Sequence, residues 1–293
     1  MCTGKHLETV HSRKYGCAHI RFTHDAKSVI YASSRGDSHA LRYHSLHDNK
    51  YLRYFAGHTG PVTGVAVSAV NDMLLSTAAD RSVRLWDLRS ASQIGVMKNA
   101  PCKPCAAFDY QGMIFALSTD PGLVKLYDMR NYQGGHFMNV AVPGEAGAAG
   151  AFAHLAFSFD GKRILGVAES RVHVMDAFEG SHLCLVSTAA GAAGGAAGAP
   201  ASGGQGPAKA CFTPDGSCVV SGCEDGAVRF WKVPGQAGAE MPLLHEVTGH
   251  AGRPNNVCFS TRRMVMASSC HQVALSVPDL QGLRASGALQ GAL

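Results

Sequence analysis

The chain has 293 residues, 46% of them hydrophobic, which is enough to bury a full core as one large domain or two small ones, and its formal net charge is +5. No uncharged apolar run reaches the about 18 residues of a helical membrane span, and no apolar stretch follows the start in "MCTGKHLETVHSRKYG"; the expectation is an intracellular protein with no membrane or secretory segment. Ten cysteines are too sparse for a small disulfide scaffold, and Cys211, Cys218 and Cys258 sit in apolar, strand-like contexts that suit free thiols. Residues 1–60 hold nine Lys/Arg and eight His against four Asp/Glu, so the whole charge surplus lies at one end and leans towards an anionic partner.

From the N-terminus, "KHLETVH" (5–11) reads as a lone strand, and "VIYASSRGDSHALRY" follows with Ser33, Asp37 and Tyr43 after an apolar run. "LHDNKYLRYFAGHTG" (46–60) packs Lys50, Tyr51, Arg53, Tyr54 and Phe55 together, the mixture from which a single-stranded nucleic-acid groove is made. Strand alternation sends Tyr51, Arg53 and Phe55 to one side and Leu52 and Tyr54 to the other, so no stacking platform and no direct nucleic-acid partner are expected. Next come four short period-two runs, "VTGVAVS", "MLLSTAA", "SVRLWDL" and "QIGVMK", which read as antiparallel strands carrying Ser76, Asp80 and Trp86. "CKPC" (102–105) has redox or zinc spacing but no partner pair, and reads as strand-edge packing.

"IFALSTDPGLVKLYD" repeats the frame with Asp120 and Tyr127, and "ILGVAESRVHVMD" keeps its two apolar strands with Met175 near the Trp place. Between and after them, 143–151 and 189–208 are nearly pure Ala, Gly, Pro and Ser and read as flexible loop insertions. "CVVSGCEDGAVRFWKVP" restores the full spacing with Ser221, Asp225 and Trp231, "VMASSCHQVALS" ends the series with Ser276, and 281–293 reads as a flexible tail.

Six units of this kind, spaced by about 40 to 45 residues, opened by Gly57-His58 or Gly249-His250 and closed by Trp-Asp, are the signature of an all-β WD40 β-propeller in one domain over residues 1–280. Within a blade, His58, Ser76, Asp80 and Trp86 can form a hydrogen-bonded chain from indole to carboxylate, and Ser221, Asp225 and Trp231 share that frame. Because the set recurs in step with a structural repeat and no oxyanion-hole motif accompanies it, it reads as structural and not as a catalytic triad. No Gly-rich phosphate loop, catalytic carboxylate pair or metal-ligand cluster stands out, so no enzyme, cofactor or metal is expected.

The wording of the blades goes further. "RFTHDAKSVIYASS", "SLHDNKYLRYFAGH", "SVRLWDLRS", "VKLYDMR", "VHVMDAFEG" and the "SGCEDGAVRFW" unit resemble, in that order, successive blades of the WD repeat-containing protein 82 family, from about residue 2 to about 280. That family is seven-bladed, so the resemblance implies that this chain begins inside the first blade; the two Ala/Gly inserts, Lys232 in place of Asp, and Ser276 in place of an aromatic are further departures. It implies a non-enzymatic nuclear adaptor that links a COMPASS-type histone H3 lysine-4 methyltransferase to the phosphorylated C-terminal tail of RNA polymerase II, and that also joins protein phosphatase 1 and 3′-end processing complexes. Arg35, Arg42, Lys50, Arg53 and Arg81, taken from turns and outer strands, are the candidate contacts for a phosphopeptide, since Arg forks pair with phosphate oxygens. A competing reading comes from "WDLR" and "YDMR", which match the box by which cullin-4 ubiquitin ligase substrate receptors meet their adaptor, with Arg89 and Arg130 as contacts.

Overall fold

A computed structural model of the chain describes residues 9–276 apart from 91, 99, 101, 144–150, 190–208 and 261–264. The interiors of the two Ala/Gly-rich insertions and the tail expected at 281–293 therefore lie outside the described residues.

The short period-two runs form strands as their patterning predicts. The first sheet is β1 (Ala18–Phe22), β2 (Ser28–Ala32), β3 (Leu41–Ser45) and β4 (Lys50–Phe55), and the second is β5 (Val62–Val67), β6 (Met73–Ala78), β7 (Val83–Asp87) and β8 (Gln93–Met97). The third comprises β9 (Cys105–Phe108), β10 (Ile114–Asp120), β11 (Leu123–Asp128) and β12 (Met138–Ala141); the fourth, β13 (His154–Phe157), β14 (Arg163–Ala168), β15 (Arg171–Asp176) and β16 (His182–Ser187). β17 (Ala210–Phe212), β18 (Cys218–Gly222), β19 (Val228–Lys232) and β20 (Leu243–Val247) make the fifth, and β21 (Asn256–Phe259), β22 (Met266–Ser269) and β23 (Val273–Ser276) the three-stranded sixth. Within every sheet the strands pair antiparallel with their neighbours in chain order, and the first strands of successive sheets touch one another from β1 through to β21. The described residues form a β-propeller of six sheets, one fewer than the seven blades implied by the family resemblance.

Burial follows from that stacking. The second strand of a sheet is covered on both faces, so β2 is buried along its whole length and β6 nearly so, whereas the outermost β4 and β20 are exposed except at one end. The core is divided accordingly. Leu74 and Trp86 pack with Ile30 and Phe55 between the first and second sheets, and four further clusters fill the four remaining junctions between neighbours.

Two sequence expectations fail locally. Residues 5–8 of "KHLETVH" lie outside the described residues and 9–11 are not strand; the residues that follow make a turn in which Gly16 N–H donates to Ser12 O (3.0 Å), and Tyr15 O accepts from the N–H groups of Ser34 and Arg35 (2.9 Å each). Its backbone groups are thus taken up by the loop after β2 and not by a sheet. The alternation assumed for β4 is broken by a bulge: Tyr43 pairs with Arg53 but His44 pairs with Tyr51, which leaves Leu52 as an extra residue. Tyr51 and Tyr54 consequently share a face, ring centroids 5.5 Å apart, while Phe55 turns inward onto Trp86.

The hairpins joining second to third strands share one conformational demand. In the first five sheets a residue with positive φ turns the chain: Gly36 (76°), Arg81 (57°), Gly122 (66°), Glu169 (53°) and Gly226 (87°).

Candidate interaction surface

The loop from β4 to β5 delivers His58 to the hairpin between β6 and β7, and the expected chain of hydrogen bonds closes there. Trp86 Nε1–H donates to Ser76 Oγ (2.8 Å), Ser76 Oγ lies 2.7 Å from His58 Nε2, and His58 Nδ1 lies 3.1 Å from Asp80 Oδ2. An indole N–H can only donate, so the Ser76 hydroxyl donates onward to Nε2 and His58 carries its proton on Nδ1, facing the carboxylate. Burial lowers the His58 pKa, with Asp80 opposing, which keeps the ring neutral. Burial would raise the Asp80 carboxyl, but hydrogen bonds from the Ser82 hydroxyl, the Thr59 N–H and His58 outweigh it and hold Asp80 well below the usual carboxylate range. Ser82, whose hydroxyl is 2.7 Å from Asp80 Oδ1, is a member that the spacing did not reveal. Every polar atom faces a partner inside the blade, so the network holds structure together and presents nothing to a substrate.

The fifth sheet does not repeat it. Ser221 Oγ donates to the Gly222 carbonyl (3.3 Å) and Asp225 pairs with the guanidinium of Arg229, so the second set of Ser, Asp and Trp forms no tetrad, although Trp231 is buried. The reason is positional: the place where a Gly-His would open this unit falls in 190–208, which contains no His. A reduced version appears in the sixth sheet. His250 Nε2 lies 2.7 Å from Ser268 Oγ, with the same separation of 18 residues as His58 and Ser76, and Cys270 Sγ sits 3.3 Å from His250 Nδ1 in the carboxylate's place.

Of the five candidate cations, two are already engaged. Arg42 is on β3, not an outer strand, and is only 3% exposed: its guanidinium donates to Ser33 Oγ and lies 3.6 Å over the Tyr15 ring, with Tyr54 at 5.8 Å. It braces the turn before β1 against β4, a cation–π role that removes it from the surface. Arg53 is exposed, but its Nη1 donates to the Leu88 carbonyl and ties the first sheet to the second.

Arg35, Lys50 and Arg81 are exposed, but not together. Arg35 lies in the loop between β2 and β3 and Arg81 between β6 and β7, so both stand on the face where these hairpins project. Lys50 opens β4 after the turn from β3 and stands on the opposite face, as do Arg89 and Arg130, which follow β7 and β11. The hairpin face gains cations that sequence reading passed over. Ala100 N–H donates to Arg81 O (3.0 Å), which brings the loop with exposed Lys98 and Lys103 against Arg81, and the turn at Tyr15 brings exposed Arg13 and Lys14 beside Arg35. Their signal was present only as scattered single Lys and Arg residues in unremarkable loops.

Both boxes with Arg89 and Arg130 adopt the same turn, in which the Asp ending the strand accepts the Arg backbone N–H: Asp87 from Arg89 at 2.7 Å and Asp128 from Arg130 at 2.8 Å. The Arg89 side chain is held by Asp72. In "CKPC", Cys102 Sγ lies 3.0 Å from the Thr119 carbonyl and Cys105 opens β9, so the two thiols are spent at a strand edge. Among the described residues no group of three His, Cys, Asp or Glu side chains is placed to hold a metal ion.

Comparison with known proteins agrees with this geometry. The family described as WD domain, G-beta repeat, matches residues 49–87 and 206–232. Over 276 residues the chain is 37% identical to WD repeat-containing protein 82 of Drosophila melanogaster, covering 94% of this chain and 81% of that protein. It is 35% identical over 231 residues to COMPASS component SWD2 of Saccharomyces cerevisiae, covering 78% of this chain and 66% of that protein. A chain of the crystal structure of the mitotic checkpoint complex matches with a TM-score of 0.69 over 90% of this chain and 75% of that one, at 14% identity, a likeness of fold alone. Identity sustained at the first of these levels over most of a relative's length, on the propeller described above, makes this chain a member of the WD repeat-containing protein 82 family of non-catalytic WD40 proteins.

Proposed function

We propose that the chain is a nuclear scaffold subunit of a COMPASS-type histone methyltransferase complex, and that its hairpin face receives the phosphorylated C-terminal tail of RNA polymerase II. The relationship to COMPASS component SWD2 supports the first half. The observation that carries the second is the gathering of Arg35, Arg81, Lys98 and Lys103 on one face around the first two sheets. Arg forks and Lys point charges match phosphate oxygens, and a rigid disc offers peptide-sized surfaces on its loops. Phosphatase 1 and 3′-end processing complexes, implied by the family resemblance, would use the same disc as further partners.

Affinity purification of the full-length product followed by mass spectrometry tests the scaffold role: methyltransferase subunits are expected, and a cullin-4 ligase adaptor recovered without them overturns it. Anisotropy with a serine-phosphorylated tail peptide tests the face. Arg35→Glu with Arg81→Glu is expected to weaken binding by about tenfold or more. Lys50→Glu, on the opposite face, is the control that leaves binding unchanged, and equal affinity for the unphosphorylated peptide overturns the assignment.

A further inference from the structure

The sixth sheet carries the frame of the tetrad with both of its ends changed, and each change alters what its histidine can do. At the Trp place stands Ser276, which pairs with Met266, two residues before Ser268, as Trp86 pairs with Leu74, two before Ser76. At the carboxylate's place stands Cys270, with Sγ 3.3 Å from His250 Nδ1, while His250 Nε2 lies 2.7 Å from Ser268 Oγ.

In the second sheet the direction of the protons is set from both ends. The indole donates to Ser76, so Ser76 donates to Nε2, and the proton on His58 Nδ1 faces an acceptor in Asp80. Both constraints are lifted in the sixth sheet. The Ser268 hydroxyl meets no indole and is free to accept from Nε2–H, and a thiol is a donor where a carboxylate can only accept. His250 thereby holds its proton on Nε2 and turns the lone pair of Nδ1 towards the Cys270 thiol. A ring in this tautomer takes the thiol proton, and as imidazolium it donates to the thiolate from Nδ1 and to Ser268 from Nε2. A nucleophile, a base within reach of it and a third group that orients the base are in line, the arrangement by which weak nucleophiles are activated.

The scaffold around the three residues is held and the sulfur is reachable. Ser268 is buried on β22, and Asn255 N–H donates to Ser269 O (2.8 Å), which ties the chain following His250 to the strand leading to Cys270. From the fifth sheet, Gly226 closes on the same loop so tightly that a Cβ there would lie 2.8 Å from the His250 carbonyl oxygen. Cys270 itself is half-buried, in the turn between β22 and β23. The Gln272 N–H lowers the Cys270 pKa most; burial opposes it, and the N–H groups of His271, Gly252 and Cys270 add to the lowering. Burial raises the thiols of Cys17 and Cys102 instead.

We propose that Cys270 is a modification site for hydroperoxides, with His250 as its base and Ser268 as the residue that positions His250. The thiolate attacks one peroxide oxygen, the S–O bond forms as the O–O bond breaks, and the departing hydroxide or alkoxide takes the proton held on His250 Nδ1. Sulfur is oxidised to a sulfenic acid, the peroxide is reduced to water or an alcohol, and His250 returns to its neutral form. The site is independent of the function proposed above, which uses cations of the first two sheets.

Exposure of the reduced full chain to hydrogen peroxide, followed by a dione probe selective for sulfenic acids and peptide mass spectrometry, tests it. Cys270 is expected to be labelled about tenfold or more faster than the exposed Cys17 and Cys258 of the same molecule. In His250→Gln the rate at Cys270 is expected to fall by about tenfold or more, with Cys17 unchanged. A purely structural His250 gives the opposite sign, because loosening the turn exposes the thiol and raises its rate. If His250→Gln fails to fold, Ser268→Ala, which keeps the base, carries the test with a fall of about threefold or more. Labelling of Cys270 no faster than of Cys17, or a rate unchanged or raised in the variant that folds, overturns the proposal.

Discussion

Trp86 sets the direction of the network around it, and direction decides what each neighbour is worth. Ser76 accepts from the indole and donates to His58, so Ser76→Ala leaves a buried donor and a buried ring nitrogen unpaired at once. That substitution is expected to cost about 1–3 kcal/mol, whereas Ser221→Ala, whose hydroxyl meets only the next carbonyl, is expected to cost about 1 kcal/mol or less; urea unfolding of the two variants checks the order. The frame of Ser, Asp and Trp was fully legible in the sequence, and yet only one of its two perfect copies is a tetrad. Spacing places side chains on strands but does not supply the His from the preceding loop, which the second copy lacks. Arg42 was illegible for a related reason: Tyr15, which covers it, arrives from a turn that no period-two pattern marks. Protonation belongs to this scale as well. His154 and His58 are lowered from 6.5 by burial, the first to about 3. The unfolded chain therefore binds more protons than the folded one below about pH 6.5, and stability falls as pH drops through that window. A thermal midpoint that declines from pH 6.5 towards pH 4 is expected, with a shallower decline in His154→Gln.

Strands and hairpins account for most of what could be read in advance, because period-two patterning and turn residues are local. The boundaries of β5, β6, β7 and β8 fall within the runs that define them in the sequence. What defeats local reading is an extra residue: the bulge at Leu52 reverses the face of Tyr51 and creates an aromatic row, Tyr31, His44, Tyr51 and Tyr54, with successive centroids 6.3, 4.9 and 5.5 Å apart. Junctions between sheets are equally non-local. Asn71 donates to the Gly112 carbonyl (3.0 Å) from the second sheet to the third, Arg163 to the Gly216 carbonyl (2.9 Å) from the fourth to the fifth, and Lys209 N–H to Asn255 O (2.9 Å) from the fifth to the sixth. Gly222 on β18 lies where a Cβ would collide with the backbone carbonyl of Pro254, which belongs to the chain entering the sixth sheet. Gly222→Ala is expected to destabilise by about 1–3 kcal/mol through overpacking of that junction. Gly235→Ala, which has nothing within 4 Å, is the matched control in chemical denaturation.

At the scale of the molecule the core is divided: among the described residues five buried clusters each belong to two neighbouring sheets, so contacts run from one sheet to the next as in a repeat array. Protection against hydrogen exchange is therefore expected to vary by sheet: β2, β6 and β14, buried on both faces, should exchange last. The sixth sheet should exchange first, since among the described residues it has three strands and exposes Val273 and Leu275 on β23. Uniform protection across the six sheets would contradict that order. The repeat count was legible because each unit is one supersecondary element. Which candidate cations share a face was not, because it depends on the parity of strands between them: Arg35 and Lys50 are neighbours in sequence and stand at opposite ends of β3.

Among the five hairpins that require a left-handed residue, three use glycine, while the second sheet uses Arg81 and the fourth Glu169. An arginine there holds the chain in a conformation that glycine adopts freely, and Arg81→Gly is expected to raise stability by roughly 1 kcal/mol while removing a cation from the hairpin face. Melting and phosphopeptide assays should thus rank this variant against the parent in opposite orders. Under the function proposed above, the strain held at Arg81 is offset by the charge it presents on the hairpin face.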